Sequence, residues 1–202
     1  MGQRSQIFVR FYNETQKREI LGRYYGWNLQ ERMISRARHS IEWLLVYRTD
    51  SILTPNMIRT KLVRILDTNF DMKDVCISSD IVKEYVSLKM QGEGTSLNEY
   101  LFYHDNNDGK LLIDINHGNV KYAFINSDNE YLGDGDSYMK WDCQCHEKDW
   151  DIPTEWFTYE DIGICKNNIQ YLKDNAILLS PEEVDNFLET DYGWQVSEME
   201  KI

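Results

Sequence analysis

The chain of 202 residues lacks the features that would place it in a membrane or outside the cell. It has no apolar run near the roughly 20 residues of a membrane-spanning helix, and its N-terminus lacks the apolar stretch of a secretory signal. Its four cysteines, Cys76, Cys143, Cys145 and Cys165, are too few and too unevenly spaced for a disulfide framework. We therefore expect a cytoplasmic protein with reduced thiols and no membrane contact.

The sequence also lacks the short motifs of several common enzyme classes. It contains no P-loop, no dinucleotide-binding fingerprint, no Gly-x-Ser-x-Gly nucleophile elbow and no Cys-x-x-Cys redox pair. These motifs mark nucleotide-binding proteins, α/β-hydrolases and disulfide oxidoreductases. We therefore expect no cofactor.

Arginine is absent beyond residue 64, and this absence divides the chain by charge. Up to residue 64, twelve Lys and Arg face five Asp and Glu, a net charge of +7, whereas the remainder carries −19, for a total of −12. Two interpretations stay open. The first segment could be a basic working surface joined to an acidic body, or its arginines could pair with the acidic residues inside the protein.

The apolar periodicity predicts that the chain begins with a β-hairpin followed by a helix. Residues 6–12 and 18–25 alternate apolar and polar side chains as strands do, and a short polar turn joins them. From Leu29 to Tyr47, apolar residues recur at helical spacing. We expect Asn28 to be the N-cap of this helix, in a capping box with Glu31.

Further elements are predicted from their turn and capping residues. They are a helix from Thr54-Pro55, a helix from Ser79-Asp80 or else a strand at 74–77, a β-meander over 100–126, and a helix from Ser180-Pro181. The fold class is therefore α+β: an N-terminal β-hairpin plus helices, then an antiparallel β-meander and C-terminal helices. A glycine-containing boundary at 91–94 separates a basic module, residues 1–91, from an acidic module, residues 95–202, unless both form one continuous domain.

Two segments resemble metal sites in composition but not in spacing. Residues 105–108 lack the ligand spacing of a calcium loop, so a hairpin turn is the favoured interpretation. Cys143, Cys145 and His146, with Cys165, are zinc-type ligands, but the cysteine pair is separated by one residue and has no matching second pair. In an extended segment both thiols would face one side, where apolar packing explains them equally well. We predict no metal.

The densest group of basic and aromatic residues lies near the N-terminus. Arginine side chains bind phosphates in a fork geometry, aromatic rings stack on unpaired bases, and a helix N-terminus attracts anions. The predicted nucleic-acid-binding residues are Arg4, Arg10, Arg23, Tyr24, Trp27, Asn28, Arg32, Arg36 and His39. In the alternative interpretation, the aromatic residues pack on the first helix and the arginines are merely solvated.

The first 30 residues resemble the opening of small proteins encoded by phages and other mobile elements. The likeness rests on Met-Gly-x-Arg, ending at Arg4, and on a Tyr-x-x-Trp segment from Tyr24 to Trp27. Some proteins of this group are anti-CRISPR proteins of type II-A systems, including ones that damage the guide RNA. The resemblance implies roles for Arg4, Tyr24, Trp27 and Asn28. Many relatives have Asp at the position of Asn28, and an amide cannot act as a general base, so this departure favours RNA binding over cleavage.

We therefore expect an anti-CRISPR-like inhibitor of a host nucleic-acid-handling system, encoded by a phage or mobile element and acting in the host cytoplasm. Its partner would be a host protein or ribonucleoprotein, such as a CRISPR effector with its guide RNA. One mechanism is guide RNA binding by the basic face, with or without RNA-cleaving activity. The other is mimicry of nucleic acid by the acidic half.

Mimicry requires carboxylates at spacings comparable to those of phosphates, with apolar anchors beside them. The predicted partner-binding residues are Asp134, Asp136, Glu147, Asp149 and Asp151, with Trp141 and Trp150 as anchors. The alternative from another class is a non-enzymatic structural or interaction module of a phage or prophage, in which the division of charge is internal.

Overall fold

The computed structural model describes residues 4–12, 18–47, 55–68, 70, 77–80, 108–116 and 119–190. Within these residues the strands are β1 (Arg4–Tyr12), β2 (Arg18–Gly26), β3 (Ile77–Asp80), β4 (Lys110–Asn116), β5 (Asn119–Ile125), β6 (Tyr131–Gly133) and β7 (Ile177–Leu178). The helices are α1 (Glu31–Tyr47), α2 (Pro55–Asp67), α3 (Gly135–Cys145), α4 (Tyr159–Asn175) and α5 (Pro181–Glu189). The predicted α+β class is confirmed.

The seven strands join one mixed sheet in the order β3-β2-β1-β4-β5-β6, with β7 beside β5. β1 and β2 form the predicted antiparallel hairpin, with Val9 opposite Leu21. β4, β5 and β6 are antiparallel, as a meander requires. The two groups meet where β1 runs parallel to β4, with Phe8 opposite Leu112. Strands from both predicted modules, 1–91 and 95–202, are therefore hydrogen-bonded in a single sheet.

Side chains that alternate along each strand divide the interior into two cores. On one face, Val9 and Ile113 belong to the cluster that Met33 of α1 joins, together with residues of α2, α3 and α4. On the other face, Phe8 packs in a smaller cluster that includes Phe187 of α5. The sheet is thus covered on both faces. Within the described ranges, no helix combines the length and apolar character needed to cross a lipid bilayer.

The structure corrects the predicted start of the first helix. α1 begins at Glu31, because Gln30 has a φ of 48°, a left-handed value that ends the helical pattern. Asn28 is therefore not the N-cap. Its fully buried amide donates hydrogen bonds to Ser5 Oγ at 2.9 Å and Met33 Sδ at 3.4 Å. Asn28 thus ties the loop after β2 to β1 and α1.

Several other predicted boundaries are observed. α2 begins at Pro55, and Ser180 caps α5 in the predicted capping box, because the Glu183 N–H donates to Ser180 Oγ at 3.2 Å. Ser79 and Asp80 lie in strand β3, and the helix predicted to follow them lies outside the described residues. The predicted strand at 100–104 and the turn residues 105–107 lie outside the described residues.

Candidate functional site

One end of the sheet brings together three segments that are distant in sequence. β1 and β4 begin at this end and β2 ends there. The backbone N–H of Arg4, the first residue of β1, donates to the carboxylate of Asp108, just before β4. The backbone N–H of Gln30, after β2, donates to Asp142 Oδ2 of α3 at 2.9 Å. Strand ends, loop and helix are therefore fixed to each other through two carboxylates.

A glycine determines the path of the chain beside Asp108. Gly109 has a φ of 75°, and a Cβ built on it would lie 2.8 Å from the carbonyl oxygen of Ile125. Because that contact is with backbone, no side chain fits without movement of the sheet. Gly109 thereby directs the Asp108 carboxylate toward β1 and α3.

The site itself consists of two carboxylates and an imidazole. Asp108 and Asp142 are fully buried, and the side chain of His146 is 26% exposed. His146 Nε2 lies 3.6 Å from Asp108 Oδ1, and His146 Nδ1 lies 3.5 Å from Asp142 Oδ1. We call Asp108, Asp142 and His146 the acid–histidine cluster. Asp142 and His146 reach it together because a spacing of four residues places both on one side of α3 and the turn after it.

A buried phenol completes the wall of this cluster. The Tyr138 hydroxyl lies 3.1 Å from Asp142 Oδ2 and 3.0 Å from the backbone oxygen of Asp108. Burial raises the pKa of Tyr138 well above its usual value, and the Asp142 charge adds to the rise. The phenol therefore stays protonated, and its single O–H donates either to the Asp142 carboxylate or to the backbone oxygen of Asp108.

Burial also raises the pKa of Asp142 to about 7, and the nearby Asp108 charge adds to this effect. The Gln30 N–H, His146 and the Tyr138 hydroxyl act in the opposite direction, because each favours the ionised carboxylate. Two carboxylates in one dry site can share a proton or hold a cation. This is the strongest concentration of unusual chemistry among the described residues.

Arg10, predicted to bind nucleic acid, lies inside the protein on the α5 face of the sheet. It is 2% exposed, and its guanidinium binds both oxygens of Asp114, at 3.0 and 2.6 Å. It also lies over the ring of Phe187, 4.5 Å from the centroid. Arg10 therefore pairs the basic segment with the acidic one, as the internal-pairing interpretation expects.

Arg23 and Arg36 lie on the opposite face of the sheet and also have internal partners. Arg23 is 8% exposed and binds Asp67 through Nη2 at 2.7 and 2.8 Å. Arg36 is 1% exposed, and its Nη1 donates to the carbonyl oxygens of Leu66 at 2.5 Å and Thr68 at 2.8 Å. Arg23 connects the C-terminal end of α2 to strand β2, and Arg36 connects the same end to α1.

The remaining predicted nucleic-acid-binding residues are dispersed. Trp27 is 51% exposed, has a φ of 65°, and accepts a hydrogen bond from Arg32 Nη1 at its carbonyl oxygen, 2.9 Å away. Tyr24 packs partly buried on the α5 side, whereas His39 stacks on Phe70 in the helical layer. Arg4 is half-buried beside Asp108. The structure brings Trp27 and Arg32 together but does not join all nine residues in one surface.

Three of the predicted partner-binding carboxylates are held by lysines. Asp134 caps α3 and lies 3.0 Å from Lys173, which also binds Asp136 at 2.6 Å. Asp151 lies 2.7 Å from Lys166, an exposed pair. Glu147 and Asp149 are exposed. Of the predicted set, the carboxylates that follow α3 are therefore the most accessible.

Around these carboxylates, residues 147–160 form a surface that we call the 147–160 segment. It contains five acidic residues and one lysine. It also exposes large apolar side chains: Trp156 is 80% exposed, Tyr159 76% and Ile152 59%. The predicted anchors Trp141 and Trp150 are instead partly buried against the main core. Sequence reasoning missed Trp156 and Tyr159, although their position in an acidic stretch without apolar periodicity was a usable signal.

Of the three cysteines that the structure describes, Cys143 and Cys165 lie in the main core and Cys145 is exposed. Cys143 and Cys145 lie in helix α3 rather than in an extended segment, so Cys143 is buried while Cys145 is exposed. Burial raises the pKa of the Cys143 thiol to about 12 and also raises the pKa of buried Cys165. These thiols are placed for apolar packing rather than as thiolate ligands.

Comparison of the chain with protein families, with curated proteins and with solved structures gives no match.

Proposed function

We propose that the chain inhibits a host nucleic-acid-handling protein by placing the 147–160 segment in a basic groove that normally holds nucleic acid. In this view it is an anti-CRISPR-like protein of a phage or mobile element. The observation that carries the proposal is the exposure of Trp156 and Tyr159 among carboxylates that point to solvent.

Large aromatic side chains seldom stay 80% and 76% exposed on a surface that contacts nothing. Aromatic residues are enriched among the residues that dominate binding energy at protein interfaces. The carboxylates of Glu147, Asp149 and Glu160 would complement the Lys and Arg of a nucleic-acid groove and would speed association. Exposed aromatic anchors and negatively charged carboxylates are thus present in one short segment.

The alternative mechanism, guide RNA binding by the N-terminal arginines, has less support. Arg10, Arg23 and Arg36 already bind protein groups and are at most 8% exposed. Phosphate binding would require each of them to leave a buried partner, which costs several kcal/mol for an ion pair. The net charge of −12 also repels a polyanion. We therefore favour mimicry over RNA binding.

The test is inhibition of DNA cleavage by a type II-A effector loaded with guide RNA. We expect the wild type to inhibit, and the triple variant Glu147→Lys, Asp149→Lys, Asp151→Lys to lose inhibition at least tenfold because its charge opposes a basic groove. A matched control, Glu182→Lys, Asp185→Lys, Glu189→Lys on exposed positions of α5, makes the same charge change and should still inhibit.

Two further readings separate the mechanisms. Intact guide RNA on a denaturing gel after incubation is expected, whereas cleaved guide RNA would favour the nuclease mechanism. Retained inhibition by the folded 147–160 triple variant would contradict mimicry by this segment. The double variant Trp156→Ala, Tyr159→Ala should weaken inhibition without changing net charge, so it reports on the anchors alone.

A further inference from the structure

The acid–histidine cluster takes no part in the proposed inhibition, yet its donors converge. We propose that Asp108, Asp142 and His146 bind one divalent transition-metal ion that accepts both oxygen and nitrogen ligands, with Mn²⁺ and Zn²⁺ as the suitable probes.

The geometry fits a single ion. One ligand atom from each of the three side chains lies within 4.8 Å of the other two. At metal–ligand distances of about 2.1 Å, two ligands of one ion lie about 3 to 4 Å apart, so small rotamer changes suffice. The observed separation of 3.6 Å between His146 Nε2 and Asp108 Oδ1 is already in this range.

The imidazole of His146 is oriented to bind a metal ion through Nε2. His146 Nδ1 lies 2.8 Å from the backbone oxygen of Asp142, and because a carbonyl can only accept, Nδ1 carries the proton. In a neutral imidazole with this tautomer, Nε2 presents its lone pair toward Asp108 Oδ1, 3.6 Å away. Metal-ligating histidines commonly donate their other ring N–H to a backbone carbonyl in this way. The Arg4 N–H, the Gln30 N–H and the Tyr138 hydroxyl hold the carboxylates in turn.

A second, independent observation points to a ligand. Asp142 is 0% exposed, and its Oδ1 receives no hydrogen bond from any residue that the structure describes. Within the same residues, no Lys or Arg lies within salt-bridge distance of Asp142. A buried carboxylate oxygen without a donor is rare, since buried charges are normally paired or bound to metal. Oδ1 faces the imidazole of His146, and one ligand atom of Asp142 lies within 4.8 Å of those of Asp108 and His146.

The donor set selects the class of ion. Two carboxylates supply two negative charges, which balance a divalent cation. An imidazole ligand favours first-row transition metals over Mg²⁺ and Ca²⁺, which prefer oxygen alone. Three protein ligands leave further positions for water. The sequence-based expectation of no metal considered His146 only with Cys143, Cys145 and Cys165, because Asp108 lies in a different part of the chain.

Titration of the metal-free full chain with Mn²⁺, followed by electron paramagnetic resonance, tests the proposal directly. We expect loss of the free Mn²⁺ signal at one ion per chain, a nitrogen coupling from the imidazole in the bound spectrum, displacement by Zn²⁺, and no displacement by equimolar Mg²⁺. The melting temperature should rise with Mn²⁺. Failure of the wild type to bind either ion at millimolar concentration, or a bound spectrum without nitrogen coupling, would overturn the site.

Single substitutions then identify the residues that bind the ion. Asp142→Asn and His146→Gln should each weaken Mn²⁺ binding at least tenfold, because each removes a ligand. Asp174→Asn removes a charge from an exposed part of α4, and Cys145→Ser removes the nearest exposed thiol, so both should bind as the wild type does. Wild-type affinity in a folded His146→Gln protein would overturn the proposal. These measurements do not involve the inhibited partner, so either proposal can fail without the other.

Discussion

The N-terminal arginines and the carboxylates of the 147–160 segment carry opposite charge and differ in exposure to solvent. Arg10, Arg23 and Arg36 are at most 8% exposed, and each binds a protein group. In the 147–160 segment, all five acidic side chains are exposed, beside Trp156 and Tyr159. These three arginines, in the segment whose positive charge stands out in the sequence, are therefore buried inside the protein. The acidic residues of the 147–160 segment, which has no clear apolar periodicity, lie on the surface. A count of charges along a chain predicts which groups exist but not which of them face a partner.

The two regions differ in exposure because the buried arginines have acidic partners that are distant in sequence. Asp114 meets Arg10 only because β1 and β4 are paired, and Asp67 meets Arg23 only because α2 packs near β2 and β3. Charged groups left without such a partner remain in water, because burial of an unpaired charge costs several kcal/mol. The 147–160 carboxylates remain in water, and the ion pair of Asp151 with Lys166 is itself exposed.

Removal of Asp114 should give the largest effect. Asp114→Ala leaves Arg10 buried without its carboxylate, so we expect a loss of about 3 to 5 kcal/mol in the free energy of unfolding. Asp149→Ala in the 147–160 segment should change it by less than about 0.5 kcal/mol, since Asp149 is exposed. Urea unfolding of both variants makes the comparison. Similar losses would mean that the two regions do not differ as described.

Buried Lys110 extends the comparison to a cation in the acidic half. Burial lowers the pKa of Lys110 from 10.5 to about 8, while Nζ donates to the carbonyl oxygens of Asn126 and Ser127. Between these two pKa values the unfolded chain binds a proton that the folded chain does not, so stability rises with pH. From pH 7 to 9.5 this group should add about 2 kcal/mol.

Urea unfolding of the wild type and of Lys110→Met at both pH values measures this contribution. The free energy of unfolding of the wild type minus that of Lys110→Met should increase by about 2 kcal/mol from pH 7 to 9.5, because Met has no proton to lose. The buried tyrosines are common to both proteins and cancel. A difference that is constant with pH would show that Lys110 titrates normally in the folded chain.

Asn28 gives a smaller effect with a distinctive dependence on Ser5. Asn28→Ala removes the buried hydrogen bond to Ser5 Oγ, so we expect a loss of about 1 to 2 kcal/mol. A helix cap would have a comparable effect, so the magnitude does not discriminate. The double variant Asn28→Ala, Ser5→Ala discriminates between the two interpretations. The losses in the free energy of unfolding should be less than additive if the two side chains interact. Additive losses would restore the capping interpretation.

The smallest effect concerns the exposed ion pair of Asp151 and Lys166. Both side chains are more than half exposed, and exposed pairs contribute little. Asp151→Ala should therefore change the free energy of unfolding by less than about 0.5 kcal/mol, and added salt should remove what remains. Thermal unfolding at low and high salt checks this. A loss above about 1 kcal/mol in the free energy of unfolding would mean that the ion pair of Asp151 contributes as much as the buried ion pairs do.

The local elements were predictable because their signals are local. The hairpin follows from alternation in β1 and β2, and α5 follows from the capping box of Ser180 and Glu183. The start of α1 was not predictable, because the left-handed φ of Gln30 depends on the hydrogen bond of its N–H to Asp142. A sequence window around residue 30 does not contain that partner.

The candidate site was harder to predict for the same reason. The acid–histidine cluster joins Asp108, before β4, to Asp142 and His146 of the α3 region. Only the Asp-x-x-x-His spacing was visible in sequence, and its significance depends on whether the segment is helical. Helix α3 itself was missed, because its aromatic, acidic composition has no clear apolar stripe.

The parallel pairing of β1 with β4 also sets the order of events during synthesis. The N-terminal hairpin can form early, but the second edge of β1 has no partner until residues 110–114 emerge. At about 5 to 20 residues per second, the intervening hundred residues take on the order of 5 to 20 s to translate. During that time a nascent chain exposes an unpaired strand edge, the feature that most readily joins another chain. The central strand of the finished sheet is therefore the point at which the newly made protein most needs protection from aggregation.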